Sequence, residues 1–164
     1  MSVREDVAFF VGYRTLQMDR KRLIAKEYAC RLLNVPYKFG GKAAPSASPS
    51  DLIKGIDCSG YVAWLMYDAS DLKVRMPSGS VQQRSWCRKM GFKNYGKLGY
   101  LANCLKKDNR LRIAFFAGSP GHVWLIFNGQ TIESYGGHGP GRRSAISAPL
   151  MRVQECFVLT DPLE

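Results

Sequence analysis

The feature that most constrains the fold is a pair of apolar segments separated by Asn128 and Gly129. Residues 122–127 read His-Val-Trp-Leu-Ile-Phe and residues 130–135 read Gln-Thr-Ile-Glu-Ser-Tyr, both rich in β-branched and aromatic side chains. Asn-Gly between two such segments is the strongest short signal for a two-residue hairpin turn, because both residues accept the positive φ that this turn needs. We therefore predict an antiparallel hairpin in which the residues at positions 127 and 130 pair.

This register decides which side chains share a face of the sheet. In this register Trp124 lies opposite Glu133, and His122 lies opposite Tyr135. Because successive side chains of a strand point to opposite faces of the sheet, these four side chains share one face. Glu133 lies diagonal to His122 and within reach of its ring. A slip of one residue would move Glu133 to the other face.

The rest of the chain predicts an α+β domain, with amino-terminal helices packed on a carboxy-terminal antiparallel sheet. Further strands are expected at 111–116 and 153–159, and helices at 16–34 and 61–67. The mixed, glycine-rich region 77–109 predicts no definite element. A length of 164 residues is enough for a hydrophobic core, and we expect one domain over residues 1–164.

The first predicted helix carries a rough apolar stripe among its lysines and arginines. Cys30 lies within it and is expected to be a small core residue. The stripe comprises Leu16, Leu23, Tyr28, Leu32 and Leu33.

The chain is strongly basic, with 24 Lys and Arg against 13 Asp and Glu, a net charge of +11. Such a charge favours a polyanionic partner, although a solvated basic face with no specific partner is an open alternative. No nucleic-acid-binding motif accompanies the charge, so we expect no nucleic acid and favour anionic polymers of the bacterial wall. Much of the charge lies between Arg84 and Arg112, at Lys89, Lys93, Lys97, Lys106, Lys107 and Arg110.

Five cysteines without a Cys-x-x-Cys pair argue against a disulfide framework and a zinc site, and reduced thiols in a cytosolic compartment are the default. We expect no metal or organic cofactor. No apolar run is long enough to span a bilayer, and the first residues lack a signal-peptide pattern. Either the chain is not exported by that route or a leader has been removed.

Cys58 is the candidate nucleophile. A thiol nucleophile needs a stabilised thiolate and a base that holds its proton. Cys58 lies where a loop becomes a helix, so the unpaired N–H groups and positive end of the helix dipole would stabilise a thiolate. Asp57 or Ser59 could cap the same turn. Of only two histidines, His122 begins a strand after a Gly/Pro loop and is reachable by substrate.

Position alone leaves structural interpretations open. A cysteine at a helix start is often a buried, inert core residue, and a histidine at a strand start is often a surface or capping residue. Glu133 could be an ordinary exposed strand residue. If catalysis is the correct interpretation, Glu133 would accept the ring N–H of His122, as the third member of a catalytic triad does.

Three motifs resemble those of the NlpC-type cell-wall peptidases, a papain-like family. They are Val-Pro-Tyr-Lys-Phe-Gly-Gly at 35–41, Gly-Ile-Asp-Cys-Ser-Gly-Tyr-Val at 55–62 and Gly-His-Val at 121–123. The resemblance covers roughly residues 25–140, with the motifs in the family's order and spacing. It implies a papain-like fold.

The resemblance also implies roles for individual residues. Cys58 would be the nucleophile, His122 the base, Tyr37 an oxyanion or substrate ligand, Asp57 a structural residue, and Ser59 part of the substrate groove. The family has a polar third residue on the strand after the base, and Glu133 stands at about that place. His138, in a glycine-rich loop, is the alternative third residue or a substrate contact.

The implied activity is hydrolysis of a peptidoglycan stem peptide at the amide that joins D-glutamate to diaminopimelate or lysine. Some relatives are N-acetylmuramoyl-L-alanine amidases instead, and a papain-like acyltransferase, a hydrolase of a non-wall amide or a non-hydrolytic wall-binding module is a further alternative. We expect a monomer made in the cytoplasm that reaches the wall by lysis, injection or a virion, or a domain excised from an exported protein.

Overall fold

The computed structural model describes residues 12–104, 106–118 and 120–164, and these residues form an α+β fold, as predicted. The start of the chain, on which the expectation about export rests, lies outside the described residues. The helices are α1 (Arg20–Leu32), α2 (Cys58–Ala69), α3 (Ser80–Met90) and α4 (Lys97–Cys104). The strands are β1 (Lys93–Tyr95), β2 (Arg112–Phe116), β3 (His122–Phe127), β4 (Gln130–Tyr135), β5 (Gly139–Gly141) and β6 (Glu155–Val158).

These six strands form one antiparallel sheet in the order β1-β6-β2-β3-β4-β5. The predicted hairpin is β3-β4, and Phe127 pairs with Gln130, which confirms the predicted register. Asn128 and Gly129 have φ of 54° and 80°, the left-handed values that the two-residue turn requires. The β3-β4 hairpin fixes which residues of the two strands meet.

The core lies on both faces of this sheet. Val123 and Leu125 of β3 belong to a large cluster with the buried residues of α2, whereas Trp124 and Ile126 belong to a smaller one with Tyr100 of α4. Successive side chains of a strand point to opposite faces, so one strand contributes to both clusters. Within the described residues, no helix is long and apolar enough to cross a bilayer.

Helix α1 is shorter than predicted, and the predicted stripe is largely wrong. Within α1 the buried residues are Leu23, Glu27 and Cys30, so only Cys30 and Leu23 meet the expectation. The carboxylate of Glu27 is fully buried because Arg31 and Arg142 donate hydrogen bonds to it. A paired charge therefore occupies a core position, and the exposed members of the stripe are Tyr28, Leu32 and Leu33.

Region 77–109, for which the sequence predicts no definite element, contains α3, β1 and α4. The inner face of α3 is marked by only two buried residues, Gln83 and Cys87. The amide of Gln83 donates to the backbone carbonyls of Ser59 and Pro77, at 2.9 and 3.1 Å. Because Gln83 fills a core position by hydrogen bonding, α3 buries few apolar side chains of its own.

Candidate active site

Cys58 is the first residue of α2, at the loop-to-helix junction that the sequence predicts, although the helix begins before the predicted range 61–67. Asp57 caps the helix, since its Oδ1 accepts the backbone N–H of Gly60 at 2.7 Å. The thiol is nearly buried, with 7% of Cys58 exposed. As the first helical residue, Cys58 has a backbone N–H without an intrahelical acceptor, which leaves this donor for a ligand.

His122 begins β3, and its imidazole lies close enough to Cys58 for the thiol to raise the pKa of the ring. The ring stacks on Trp124, with centroids 5.3 Å apart and planes 24° from parallel. The side chain keeps 19% of its surface exposed. The imidazole is therefore held in a defined orientation and is still accessible from one side.

Glu133 holds the other side of the imidazole. His122 Nε2 lies 2.7 Å from Glu133 Oε1, which is the contact that the hairpin register predicts. This leaves Nδ1 as the ring nitrogen available to Cys58. The Glu133 carboxylate is fully buried and also accepts hydrogen bonds from the Thr131 hydroxyl and from Arg143 Nη2 and Nε, the latter two at 2.6 and 3.0 Å.

These contacts shift the pKa values of the pair in opposite directions. Burial raises the pKa of Glu133, but the hydrogen bonds from His122, Arg143 and Thr131 outweigh burial and lower it to about 2. Burial lowers the pKa of His122, but its interactions with Cys58 and Glu133 outweigh that effect, so its pKa is raised above the usual value. The pair thus favours an imidazolium beside a carboxylate.

Arg143 is a site residue that the sequence does not reveal. Its guanidinium binds Glu133 and lies over the ring of Tyr135, 4.1 Å from the ring centroid. A fully buried carboxylate needs a cationic partner, and that requirement is the one signal that points to an arginine here. Which arginine supplies it depends on the path of the chain after β5.

His138 makes its described contacts away from His122. Its ring stacks on Tyr135 with centroids 4.6 Å apart, and its Nδ1 lies 3.1 Å from the carbonyl oxygen of Gly139. The structure therefore brings Glu133, and not His138, to the imidazole of His122. The catalytic role of either residue stays a prediction.

Tyr37 lies beside Cys58. It forms an isolated parallel bridge with Ile56, two residues before the thiol. Burial, and then the negative charges of Cys58 and Asp57, raise the pKa of Tyr37. The raised pKa favours the protonated phenol, which can donate a hydrogen bond.

Ser59 lines a pocket of about 200 Å³ that runs along one flank of α2. Its hydroxyl lies 2.6 Å from Lys42 Nζ, which also binds Asp57 Oδ2 at 2.6 Å. Lys42 follows the second motif glycine in sequence, and nothing in its own local pattern predicts this contact. The pocket also includes Trp64 and Arg75.

Together these residues supply the chemical groups that nucleophilic acyl transfer requires: a thiol, an imidazole, a buried carboxylate hydrogen-bonded to that imidazole, and N–H and O–H donors. In the described part of the chain, no three His, Cys, Asp or Glu side chains are grouped to hold a metal ion.

No family model matches the chain, and no curated protein is significantly similar to it.

Proposed function

We propose that this chain is a cysteine hydrolase that cleaves an amide bond in peptidoglycan stem peptides, of the type joining D-glutamate to diaminopimelate or lysine. The observation that carries the proposal is the imidazole of His122, held by the buried Glu133 carboxylate and adjacent to the Cys58 thiol. The three motifs that resemble NlpC-type peptidases supply the substrate class. On the same grounds we propose that the α+β fold is of the papain-like type.

In the proposed reaction, the Cys58 thiolate attacks the scissile carbonyl carbon. The oxyanion is bound by the Cys58 backbone N–H and the Tyr37 hydroxyl. The imidazolium of His122 gives its proton to the leaving nitrogen as the C–N bond breaks and a thioester forms. Neutral His122 then takes a proton from water, whose oxygen attacks the thioester, and the acid and the thiol are released.

The basic surface supports an anionic wall as the place of action. Arg84 and Arg112 are engaged by Glu155 and Asp108. The lysines of this region are all exposed: Lys89, Lys93, Lys97, Lys106 and Lys107. They would hold the enzyme on anionic polymers, an attraction that salt weakens.

The test is incubation of purified muropeptides with the enzyme, followed by mass spectrometry. We expect one new acid and one new amine end within the stem peptide, and loss of this cleavage in Cys58→Ala. Cys87→Ala is the matched control, because Cys87 is fully buried and lies outside the site, and it is expected to keep the activity.

Two other products of the incubation would indicate a different activity. Release of intact stem peptide from muramic acid would indicate an amidase, and transfer without hydrolysis would indicate an acyltransferase. Unchanged cleavage by Cys58→Ala would falsify the assignment of the nucleophile.

A further inference from the structure

Helix α4 directs two leucines into solvent. Leu98 is 90% exposed and Leu101 is 42% exposed, whereas Tyr100 is fully buried and Asn103 is 4% exposed. Residues three apart lie on the same face of a helix, so the two leucines share the outer face of α4, while Tyr100 and Asn103 share the inner one. The outer face of α4, defined by Leu98, Leu101 and the exposed Ala102, is therefore apolar.

Positive charge flanks this face at both ends of the helix. Lys97 is the first residue of α4, and Lys106 and Lys107 follow its last turn, where the Lys106 N–H donates to the carbonyl oxygen of Asn103 at 3.1 Å. All three lysines are exposed. Residues 72–107 as a whole contain nine Lys or Arg and no Asp or Glu. The outer face of α4 thus combines apolar groups with cations at both ends.

The acidic side chains of adjoining segments have partners of their own. Asp108, which follows the basic stretch, accepts hydrogen bonds from Arg112 at 2.8 and 3.0 Å. Glu155 belongs to β6, which packs against α4, and it accepts hydrogen bonds from Arg84 and Arg88. Because arginines already balance both carboxylates, neither of them offsets the lysines at the ends of α4.

The leucines distinguish between two classes of anionic partner. A dissolved polyanion, such as a wall polymer, can neutralise the lysines but leaves Leu98 and Leu101 in contact with water. An anionic lipid surface offers negative headgroups to the lysines, and it also offers an apolar layer beneath them that removes the leucines from water. A surface that is both anionic and apolar is therefore the better complement to the outer face of α4.

We propose that the outer face of α4 is a docking surface for an anionic lipid bilayer. Helix α4 lies in the plane of the bilayer surface, with Leu98 and Leu101 at the boundary between headgroups and acyl chains and the three lysines among the lipid phosphates. Docking of this kind uses neither Cys58 nor His122. The inference is therefore independent of the proposed hydrolase function.

The test is sedimentation of the whole chain with lipid vesicles. We expect wild type to bind vesicles of equal parts phosphatidylglycerol and phosphatidylcholine, and to stay in solution with vesicles of phosphatidylcholine alone. Leu98→Ser combined with Leu101→Ser should weaken binding by about tenfold or more, since transfer of one leucine from water to an apolar phase contributes about that factor. Lys97→Gln, Lys106→Gln and Lys107→Gln combined should weaken it roughly a hundredfold, at about fivefold per lysine.

Two further variants guard against a loss of binding that comes from misfolding. Ile53→Ser is the matched control, because Ile53 is 61% exposed and lies outside α4 and outside residues 72–107, and it should bind as wild type does. Leu98→Trp should bind more tightly than wild type, because tryptophan favours the bilayer interface. Muropeptide cleavage in solution should be unchanged in the double serine variant, so lipid binding and hydrolysis are tested separately.

The outcomes that overturn the docking surface are also defined. Failure of wild type to bind the phosphatidylglycerol vesicles does so, as does equal binding to vesicles of phosphatidylcholine alone. Unchanged vesicle binding by the double serine variant would indicate a contact of charge alone, as a wall polymer makes. Purified teichoic acid should bind wild type and the double serine variant equally, and a loss in the serine variant would likewise contradict the role of the leucines.

Discussion

The carboxylate of Glu133 is fully buried and has three hydrogen-bond partners, of which one is the imidazole of His122. Burial of an unpaired charge is costly, but hydrogen bonds from His122, Arg143 and Thr131 make the ionised form the favoured one. Arg143 by itself balances the negative charge. The carboxylate can therefore accept the ring N–H of a neutral His122 and also stabilise its protonated form.

We expect Glu133→Gln to move the alkaline limb of the pH dependence of kcat/KM to lower pH. The pKa of His122 is raised partly by Glu133, so loss of the negative charge lowers that pKa and the imidazolium is lost sooner as pH rises. The measurement is a pH profile of stem-peptide cleavage by the two proteins. Glu164→Gln is the control, because Glu164 is an exposed carboxylate. If the alkaline limb of the pH profile stayed in place in Glu133→Gln, a group other than His122 would govern that limb.

The predicted part of this site is the part that neighbouring strands determine. The contact of Glu133 with His122 follows from the two-residue turn, because local register alone brings them together. Arg143 and Lys42 were not predictable in this way. Arg143 reaches Glu133 only because β5 returns beside β4, and Lys42 reaches Ser59 only because its loop folds back on α2.

At the scale of elements, the start of α2 is packed against the backbone of the loop before it. The carbonyl oxygen of Gly41 accepts the Asp57 N–H at 2.9 Å. A Cβ added to Gly60 would lie 2.8 Å from that oxygen and 2.9 Å from Asp57 Oδ1. The loop, the cap and the first turn of the helix therefore fit together only with glycine at position 60.

We expect Gly60→Ala to lower the free energy of unfolding by about 2 kcal/mol and the cleavage rate at least tenfold, because the backbone beside Cys58 must shift. In an unhindered helix the same change stabilises by about 1 kcal/mol, so the sign is diagnostic. Urea unfolding and peptide cleavage measure the two effects. Gly96→Ala, where a Cβ meets open space, should change neither, and a stabilised Gly60→Ala would contradict the tight packing.

Elements differ in how well the sequence predicts them. The β3-β4 hairpin was predicted because its turn and both its strands are contiguous. Strands β1 and β5 have three residues each and depend on distant partners, so their own sequences carry little signal. Glycine and proline fill β5, and only its pairing with β4 identifies it as a strand.

At the scale of the whole molecule, Glu155 joins three elements. It belongs to β6 and accepts hydrogen bonds from Arg84 and Arg88 of α3 and from Asn94 of β1, the last at 2.8 Å. Burial raises the pKa of Glu155, but the hydrogen bonds from Arg88, Arg84 and Asn94 outweigh burial and lower it. One carboxylate thus connects α3 to the edge of the sheet.

We expect Glu155→Gln to lower the free energy of unfolding by about 2 kcal/mol at pH 7, since two arginines lose their charged partner. Because the pKa of Glu155 is lowered in the folded protein, its stabilisation is fully present above the ordinary pKa of a glutamate. It is lost as the pH falls through the lowered pKa of the folded state. The difference from wild type should therefore narrow by pH 3 in urea unfolding. Glu164→Gln is the control and should be as stable as wild type at either pH. If Glu155→Gln lost the same free energy of unfolding at pH 7 and at pH 3, the stabilisation would not be ionic.

The position of Asp57 has a consequence for altering this protein. One oxygen of its carboxylate caps the helix that presents Cys58, and the other anchors the Lys42 ammonium. Substitutions at Lys42 should therefore affect the position of Cys58 through the Asp57 carboxylate. We expect homologues to change positions 42 and 57 together. Arg75 has no such connection among its described contacts, which are with Tyr67, so substitutions there should leave the start of α2 unchanged.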